Sequence, residues 1–304
     1  MKAIICEAYG PPEVLKLKEI PKPTPKAGEI LVKIFATAVN SGDVRVRALR
    51  VDGIKRILMK LVLGFSKPRK PILGVVFSGV IESVGEKVQT YKVGDEIFGM
   101  TGFQFGTYTE YICLKENSAF CLKPKNASFE EAASILFGGI TAYYFLKKAK
   151  IDESPKKILI YGAAGSVGIA AVQIAKSFGA EITAVCSGRG IDLVRSLGVK
   201  NILDYTKGEF QNLKDSYDIV FDAVGKNLKK DFLHILNSKT VFMTVDGWDV
   251  ATESVEQLQF IKKLFEDGKL KPTIDKTYNL DEIVEAHRYV DTGKKKGDVV
   301  IRIS

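Results

Sequence analysis

From Lys156 to Val245 the chain alternates between two hydrophobic periods. KKILIY, EITAVC, KNILDY, YDIVFDAV and TVFMTV read as short apolar strands. SVGIAAVQIAKSFG, GIDLVRSLG and KKDFLHIL, set among them, carry apolar residues at helical spacing. Parallel strands must be joined by crossovers, so this texture predicts βαβ units and a parallel sheet covered by helices. In such sheets ligands bind at the carboxyl ends of the strands.

The first of these strands runs into YGAAGSVGIAAVQIAK, residues 161–176. A glycine-rich turn between a strand and a helix is the setting in which Ala163-x-Gly165-x-x-Gly168 reads as a dinucleotide fingerprint, with Ala163 in the first glycine position. Gly165 lets the backbone approach a pyrophosphate, and Gly168 lets the helix pack on the strand. The helix N-terminus would offer free N–H groups to the anion. The alternative is a plain tight turn, which the alternating context disfavours. An NAD site usually ends its second strand in an acid that holds the ribose 2′-hydroxyl. Here that strand ends in Ser187-Gly188-Arg189, and a hydroxyl beside a guanidinium suits a 2′-phosphate. NADP(H) is therefore the expected cofactor. Lys176 and Tyr205 are further candidate contacts, and Val224 and Gly225, ending the fourth strand, would border the cofactor. Asp192, the nearest carboxylate, falls in the first turn of the next helix and suits its positive end.

With 304 residues, 46% of them hydrophobic, the chain can build one large or two ordinary cores. Its cysteines, Cys6, Cys113, Cys121 and Cys186, are scattered and stand apart from His234 and His287. Neither a structural zinc site nor a disulfide framework is expected. The opening MKAIICEAYGPPEVLKL lacks the pattern of a signal peptide, and the apolar run Ile57 to Phe65 is broken by Lys60, so a cytoplasmic location is expected. The net charge of +9 indicates either an anionic partner or a lysine-rich solvated surface.

Before about residue 120 the punctuation changes. Strand-like runs at Glu29 to Thr37, Val75 to Val84, Glu96 to Met100 and Tyr108 to Leu114, separated by Gly, Pro, Asn and Asp, give an all-β pattern. Ser128 with Glu131 then forms a capping box ahead of a long helix. A helix from Glu253 to Asp267 and a last strand, GDVVIRIS, follow the α/β block, and that strand is free to return to the first domain.

Read together, ATAVNSGDVRVR, PILGVVFSGVIESVGEKV, YKVGDEIFG, GTYTEY, AAGSVGIAAVQIAK and EAHRYVDTGKKKGDVVI make nearly the whole chain resemble the medium-chain dehydrogenase/reductase superfamily, specifically its zinc-free quinone oxidoreductase (zeta-crystallin-like) branch. The resemblance implies an α/β fold: a discontinuous GroES-like β domain over residues 1–121 and 265–304, and a Rossmann doubly wound parallel-sheet domain over 122–264 that binds NADP. It implies no metal, because Asn40 and Val75-Val76 stand where zinc-bearing relatives carry ligands. Oxidising an unactivated alcohol calls for a Lewis acid, whereas a quinone or an α,β-unsaturated carbonyl is already electrophilic. The implied activity is NADPH-dependent reduction of quinones or conjugated carbonyls. A nucleotide-binding protein without catalysis and a zinc-type alcohol dehydrogenase are the rival readings. The resemblance also puts Asn40 and Asp43 on the nicotinamide side, Thr141 near the carboxamide, Ala164, Gly165, Ser166 and Val167 under the pyrophosphate, and Tyr108 as a candidate proton donor. Their structural alternatives are a local N-S-G-D turn, a helix-interior threonine and a buried tyrosine.

Two segments bear on partners. Arg45 to Arg69 is rich in positive charge; it fits a loop or helix bordering the active site, with an anionic membrane surface or nucleic acid as weaker readings, since Phe65 is its lone aromatic. That segment and the loop around Trp248 are expected to shape the substrate cleft. After TVFMTV the chain passes through DGWDVAT into a helix, without the further edge strand that many family members pair across a dimer axis. A monomer or an atypical oligomer is expected.

Overall fold

The computed structural model describes residues 1–51, 53–154, 156–225, 229–246 and 249–303, and Trp248 lies outside the described residues. In chain order, the first stretch contains β1 (Lys2–Cys6), β2 (Leu15–Glu19), β3 (Glu29–Val39), α1 (Ser41–Ala48), α2 (Gly53–Leu63), β4 (Val76–Val84), β5 (Glu96–Met100), β6 (Tyr111–Lys115) and β7 (Phe120–Leu122). The next is α3 (Phe129–Lys148), β8 (Lys157–Tyr161), α4 (Ser166–Ser177), β9 (Glu181–Cys186), α5 (Ile191–Ser196), β10 (Asn201–Asp204), β11 (Ile219–Asp222) and β12 (Val241–Thr244). The chain closes with α6 (Val255–Glu266), β13 (Ile274–Asn279), α7 (Ile283–Asp291) and β14 (Asp298–Arg302).

Two compact units result, one of residues 1–136, 253–262 and 274–304, the other of residues 137–252 and 263–273. The first is built on a seven-stranded sheet, order β13-β14-β3-β4-β5-β7, with β6 also pairing β3. β3 is long enough to serve two neighbours on one edge: Glu29 to Lys33 pair with β6, and Ala36 to Val39 pair antiparallel with the returning β14. β1 and β2 form a separate antiparallel pair. One core gathers Ile4, Val39, Leu73, Tyr108, Ile283 and Ile301; a second lies among Ile30, Val32, Ile34, Phe77, Ile81 and Ile97.

The second unit holds a five-stranded, all-parallel sheet in the order β10-β9-β8-β11-β12. The order reverses beside β8, so the turn after β8 is the topological switch point where such sheets bind ligands. Strands buried on both faces need continuous apolar side chains, and Leu159, Val185 and Val220 supply them.

The expected all-β character of the first stretch is corrected at α1 and α2, which are helical. Asn40 and Asp43 cap α1 reciprocally, a helix-start signal within N-S-G-D. Tyr108 precedes β6 instead of opening it. KKDFLHIL winds as a 3-10 helix, Lys229–Ile235, and its buried pair Phe232 and Ile235 repeats at the three-residue period of that helix. The Ser128–Glu131 capping box ahead of α3 forms as expected: the Glu131 N–H donates to Ser128 Oγ at 3.1 Å and the Ser128 N–H to Glu131 Oε2 at 2.8 Å.

Candidate functional site

In the parallel-sheet unit the candidate residues gather around the turn after β8. The parallel register sets Tyr161 beside Val185, and Asp204 beside Cys186, so β8, β9 and β10 end in line. Gly162 has φ +83, and a Cβ there would meet Val224 Cγ2 at 2.3 Å; Val224 therefore packs on the turn. A Cβ on Gly168 would lie 2.1 Å from the Gly162 carbonyl oxygen, so only glycine lets α4 approach this closely. Ala164 lies against Gly190, whose added Cβ would fall 2.5 Å from Ala164 Cβ, bringing the Ser187-Gly188-Arg189 turn beside the glycine turn. Gly138 of α3 packs against Ser166 in the same way, since a Cβ added there would lie 2.7 Å from the Ser166 Oγ, and Thr141 follows three residues on along the same face of α3.

These surroundings fit a dinucleotide pyrophosphate. Gly165 is the N-cap of helix α4, and no side chain caps the helix. A Cβ on Gly165 would find no atom nearer than the Gly162 carbonyl oxygen at 3.5 Å, so the backbone there is open to a ligand. Ala163, Ser166, Val167 and Gly168 are buried beneath, Arg189 is exposed and Ser187 half-buried. The Tyr205 ring is 40% exposed and lies 5.8 Å from the Tyr161 ring. Lys176 is one helix length away: at the far end of α4, its Nζ donates to the Leu197 carbonyl at 3.0 Å. Its role is to cap the end of the next helix, and as a contact to the phosphate it is corrected.

Two carboxylates that hold this site together escape local reading. Buried Asp204 accepts from the Thr206 N–H at 2.9 Å and its hydroxyl at 2.6 Å, and a Cβ on Gly188 would lie 2.8 Å from its Oδ2. Those hydrogen bonds, with one from the Gly188 N–H, hold its carboxyl below the usual range. Asp222, ending β11, accepts from the Val224 and Gly225 N–H groups at 3.1 and 3.2 Å and from the Thr244 hydroxyl at 3.1 Å. Burial pushes its carboxyl up against those bonds. The only sequence signal for either is an aspartate closing an apolar strand.

The antiparallel unit carries the other candidates. The Asp43 N–H donates to Asn40 Oδ1 at 3.0 Å, and the Asn40 N–H to Asp43 Oδ2 at 3.1 Å. Asn40 Nδ2, Asp43 Oδ1 and the Tyr108 hydroxyl are buried without a well-formed hydrogen bond. Burial pushes Asp43 up to about 7, opposed by the Asn40 N–H, the Tyr108 hydroxyl and the Gly74 N–H. Burial and the neighbouring Asp43 charge push Tyr108 well above 10, so its hydroxyl keeps its proton. Tyr108 is thus a fully buried, protonated phenol beside Asp43. Behind it, Arg47 is wholly buried, donating through Nε to the Gly10 carbonyl at 3.1 Å and through Nη2 to Asp291 at 2.7 Å. Its Nη1 sits 3.3 Å from His287 Nδ1, and the His287 ring meets Tyr108 edge-on at 5.6 Å. Burial, reinforced by the Arg47 charge, holds His287 down at about 3, so it is neutral and accepts through Nδ1. Among the described residues no cluster of three or more His, Cys, Asp or Glu is arranged to hold a metal ion.

Family models fit both units. One described as an alcohol dehydrogenase GroES-like domain matches residues 26–151, and two described as zinc-binding dehydrogenase match residues 166–266 and 246–301. Over 99% of its length the chain is 37% identical to 2-methylene-furan-3-one reductase of Solanum lycopersicum, spanning 79% of that protein. The chain belongs to the medium-chain dehydrogenase/reductase superfamily, in its zinc-free quinone oxidoreductase branch. A second member of the superfamily, the chloroplastic NADPH-dependent alkenal/one oxidoreductase of Arabidopsis thaliana, is 31% identical, over 99% of this chain and 79% of its own length. Among solved structures, the quinone oxidoreductase from Coxiella burnetii superposes with a TM-score of 0.85 at 26% identity, covering 100% of this chain and 99% of that one. This superfamily architecture is the GroES-like unit plus Rossmann unit described above.

Proposed function

We propose that this protein reduces quinones or α,β-unsaturated carbonyls with NADPH, without a metal. The observation that carries the cofactor assignment is the packing of the Ser187-Gly188-Arg189 turn on Ala164, beside an uncapped α4 N-terminus. A serine and an arginine there suit a 2′-phosphate, and the carboxylate beside Gly188, Asp204, is already bound to Thr206 and accepts from the Gly188 N–H. The names of the tomato, Arabidopsis and Coxiella relatives support the substrate class.

When bound, NADPH supplies a hydride to the electrophilic carbon, and a proton completes the two-electron reduction. The chain's residues bind and orient. Ala163 to Gly168 hold the pyrophosphate; Ser187, Arg189 and Tyr205 hold the 2′-phosphate; Thr141, Val224 and Gly225 flank the nicotinamide end. Asn40 Nδ2, a buried donor without a partner, is assigned to an acceptor oxygen of substrate or carboxamide. Asp43 and Tyr108 fix the Asn40 side chain through the capping box and the packing behind it.

The test is NADPH oxidation with a panel of quinones and enones, alongside competition of NADPH against NADH. Tight NADPH binding with no turnover on any member of the panel would favour a nucleotide-binding role without catalysis. Among the described residues no helix is long and apolar enough to cross a membrane. β12 is the sheet edge and no described residue between Thr244 and Val255 extends it, which supports a monomer or an association by another surface.

A further inference from the structure

Helix α2 turns an apolar face to solvent. Ile54, Ile57, Leu58 and Leu61 follow i, i+3, i+4, i+7 spacing and are 64, 61, 43 and 49% exposed. Val62, at 62%, and Phe65 just beyond the helix, at 63%, extend the stripe. The fold covers the other face, where Leu63 is buried and Met59 half-buried. Single exposed apolar side chains are ordinary, but a contiguous stripe along one helix face marks an interaction surface.

Charge indicates what covers it. Between Arg45 and Lys70 the sequence holds nine lysines and arginines against one acid, Asp52. Arg56, Lys67, Arg69 and Lys70 are exposed and Lys60 half-buried around the stripe. At its C-terminal end an open cavity of about 590 Å³ is lined by Phe65, Lys67, Arg69 and Lys18, the last paired with Glu7 at 2.5 Å. A second copy of this chain would set like charges face to face. Single-stranded nucleic acid asks for stacking aromatics, and the stripe is aliphatic apart from Phe65. An anionic bilayer satisfies both halves at once, with acyl chains for the stripe and headgroups for the bases.

We propose that α2 docks this protein on an anionic lipid surface, lying in the interface plane with Ile54, Ile57, Leu58, Leu61, Val62 and Phe65 inserted and the flanking Arg and Lys side chains on the headgroups. The proposal does not rest on the reductase reading. It is tested by flotation of the intact protein with phosphatidylcholine vesicles, with and without phosphatidylglycerol. The expected result is binding only when phosphatidylglycerol is present, weakened by added salt. Ile57→Glu with Leu61→Glu, and separately Arg56→Glu with Lys60→Glu, should each lower partitioning about tenfold or more, with melting temperature and sedimentation unchanged. Absence of binding to phosphatidylglycerol vesicles, or variants that bind as well as wild type, would overturn the proposal. So would a stripe variant that changes the oligomeric state, or one that loses turnover on a water-soluble enone while still binding vesicles; those results would give the face to self-association or to the active site.

Discussion

Arg47 and Asp291 form a buried pair between α1 and α7, with Nη2 donating to Oδ2 at 2.7 Å and the arginine side chain wholly excluded from solvent. The residues are far apart in sequence, so this bond fixes the helix that carries Asn40 and Asp43 against the C-terminal part of the unit. Its donors to Gly10 and its contact with His287 leave the guanidinium well satisfied.

Replacing Arg47 with methionine should therefore destabilise the protein by about 3–5 kcal/mol, since Asp291 and His287 lose a buried partner. Urea unfolding measures this, and a loss below about 1 kcal/mol would mean that Arg50, 3.0 Å from Asp291, compensates.

Arg189→Ala should weaken NADPH binding about tenfold to a hundredfold and leave NADH binding unchanged, because one charge-assisted contact to the 2′-phosphate is lost. Fluorescence titration with both cofactors reads the difference. An unchanged preference would remove Arg189 from the phosphate site.

Gly168→Ala places a methyl 2.1 Å from the Gly162 carbonyl oxygen. Backbone must shift, so stability should fall by about 1–3 kcal/mol and the pyrophosphate turn should open. Thermal melts with and without NADPH test both parts, the expected result being a lower melting temperature and a smaller rise on adding cofactor.

Asp43 sets a pH dependence of stability. Its folded value, about 7, is raised above the ordinary 3.8, so between them the folded state binds more protons than the unfolded one. Stability contributed by the protonated carboxyl is fully present below the ordinary value and is lost as pH rises through about 7. Asp43→Asn should abolish that slope, and melting temperatures of the two proteins across this range should converge at the acid end and separate in favour of the variant toward neutrality.

Sedimentation should show no dimer joined through β12, because that edge carries no further strand among the described residues. A stable dimer with continuous inter-subunit sheet would contradict this.

Much of the parallel-sheet unit was legible because its signals are local. The alternation of apolar periods and the glycines of the turn each act within a few residues of themselves, as does Ser128 with Glu131 in the other unit. The N-S-G-D segment was only half legible: it reads as a local turn, whereas in the structure Asn40 and Asp43 cap a helix whose Val44 and Arg47 find buried places in the core. The segment that forms α2 fitted a loop or a helix, and nothing local in it revealed that an apolar face would stay uncovered.

The sequence alone determined the α/β alternation and the glycine turn after β8, because hydrophobic period and turn chemistry are properties of neighbouring residues. Tertiary structure decided that Asp204 supports Gly188, that Asp222 holds Val224 and Gly225, and that Arg47 reaches His287 across 240 residues. Such partners are chosen by strand register and helix packing, which depend on the whole core and leave no trace in local spacing.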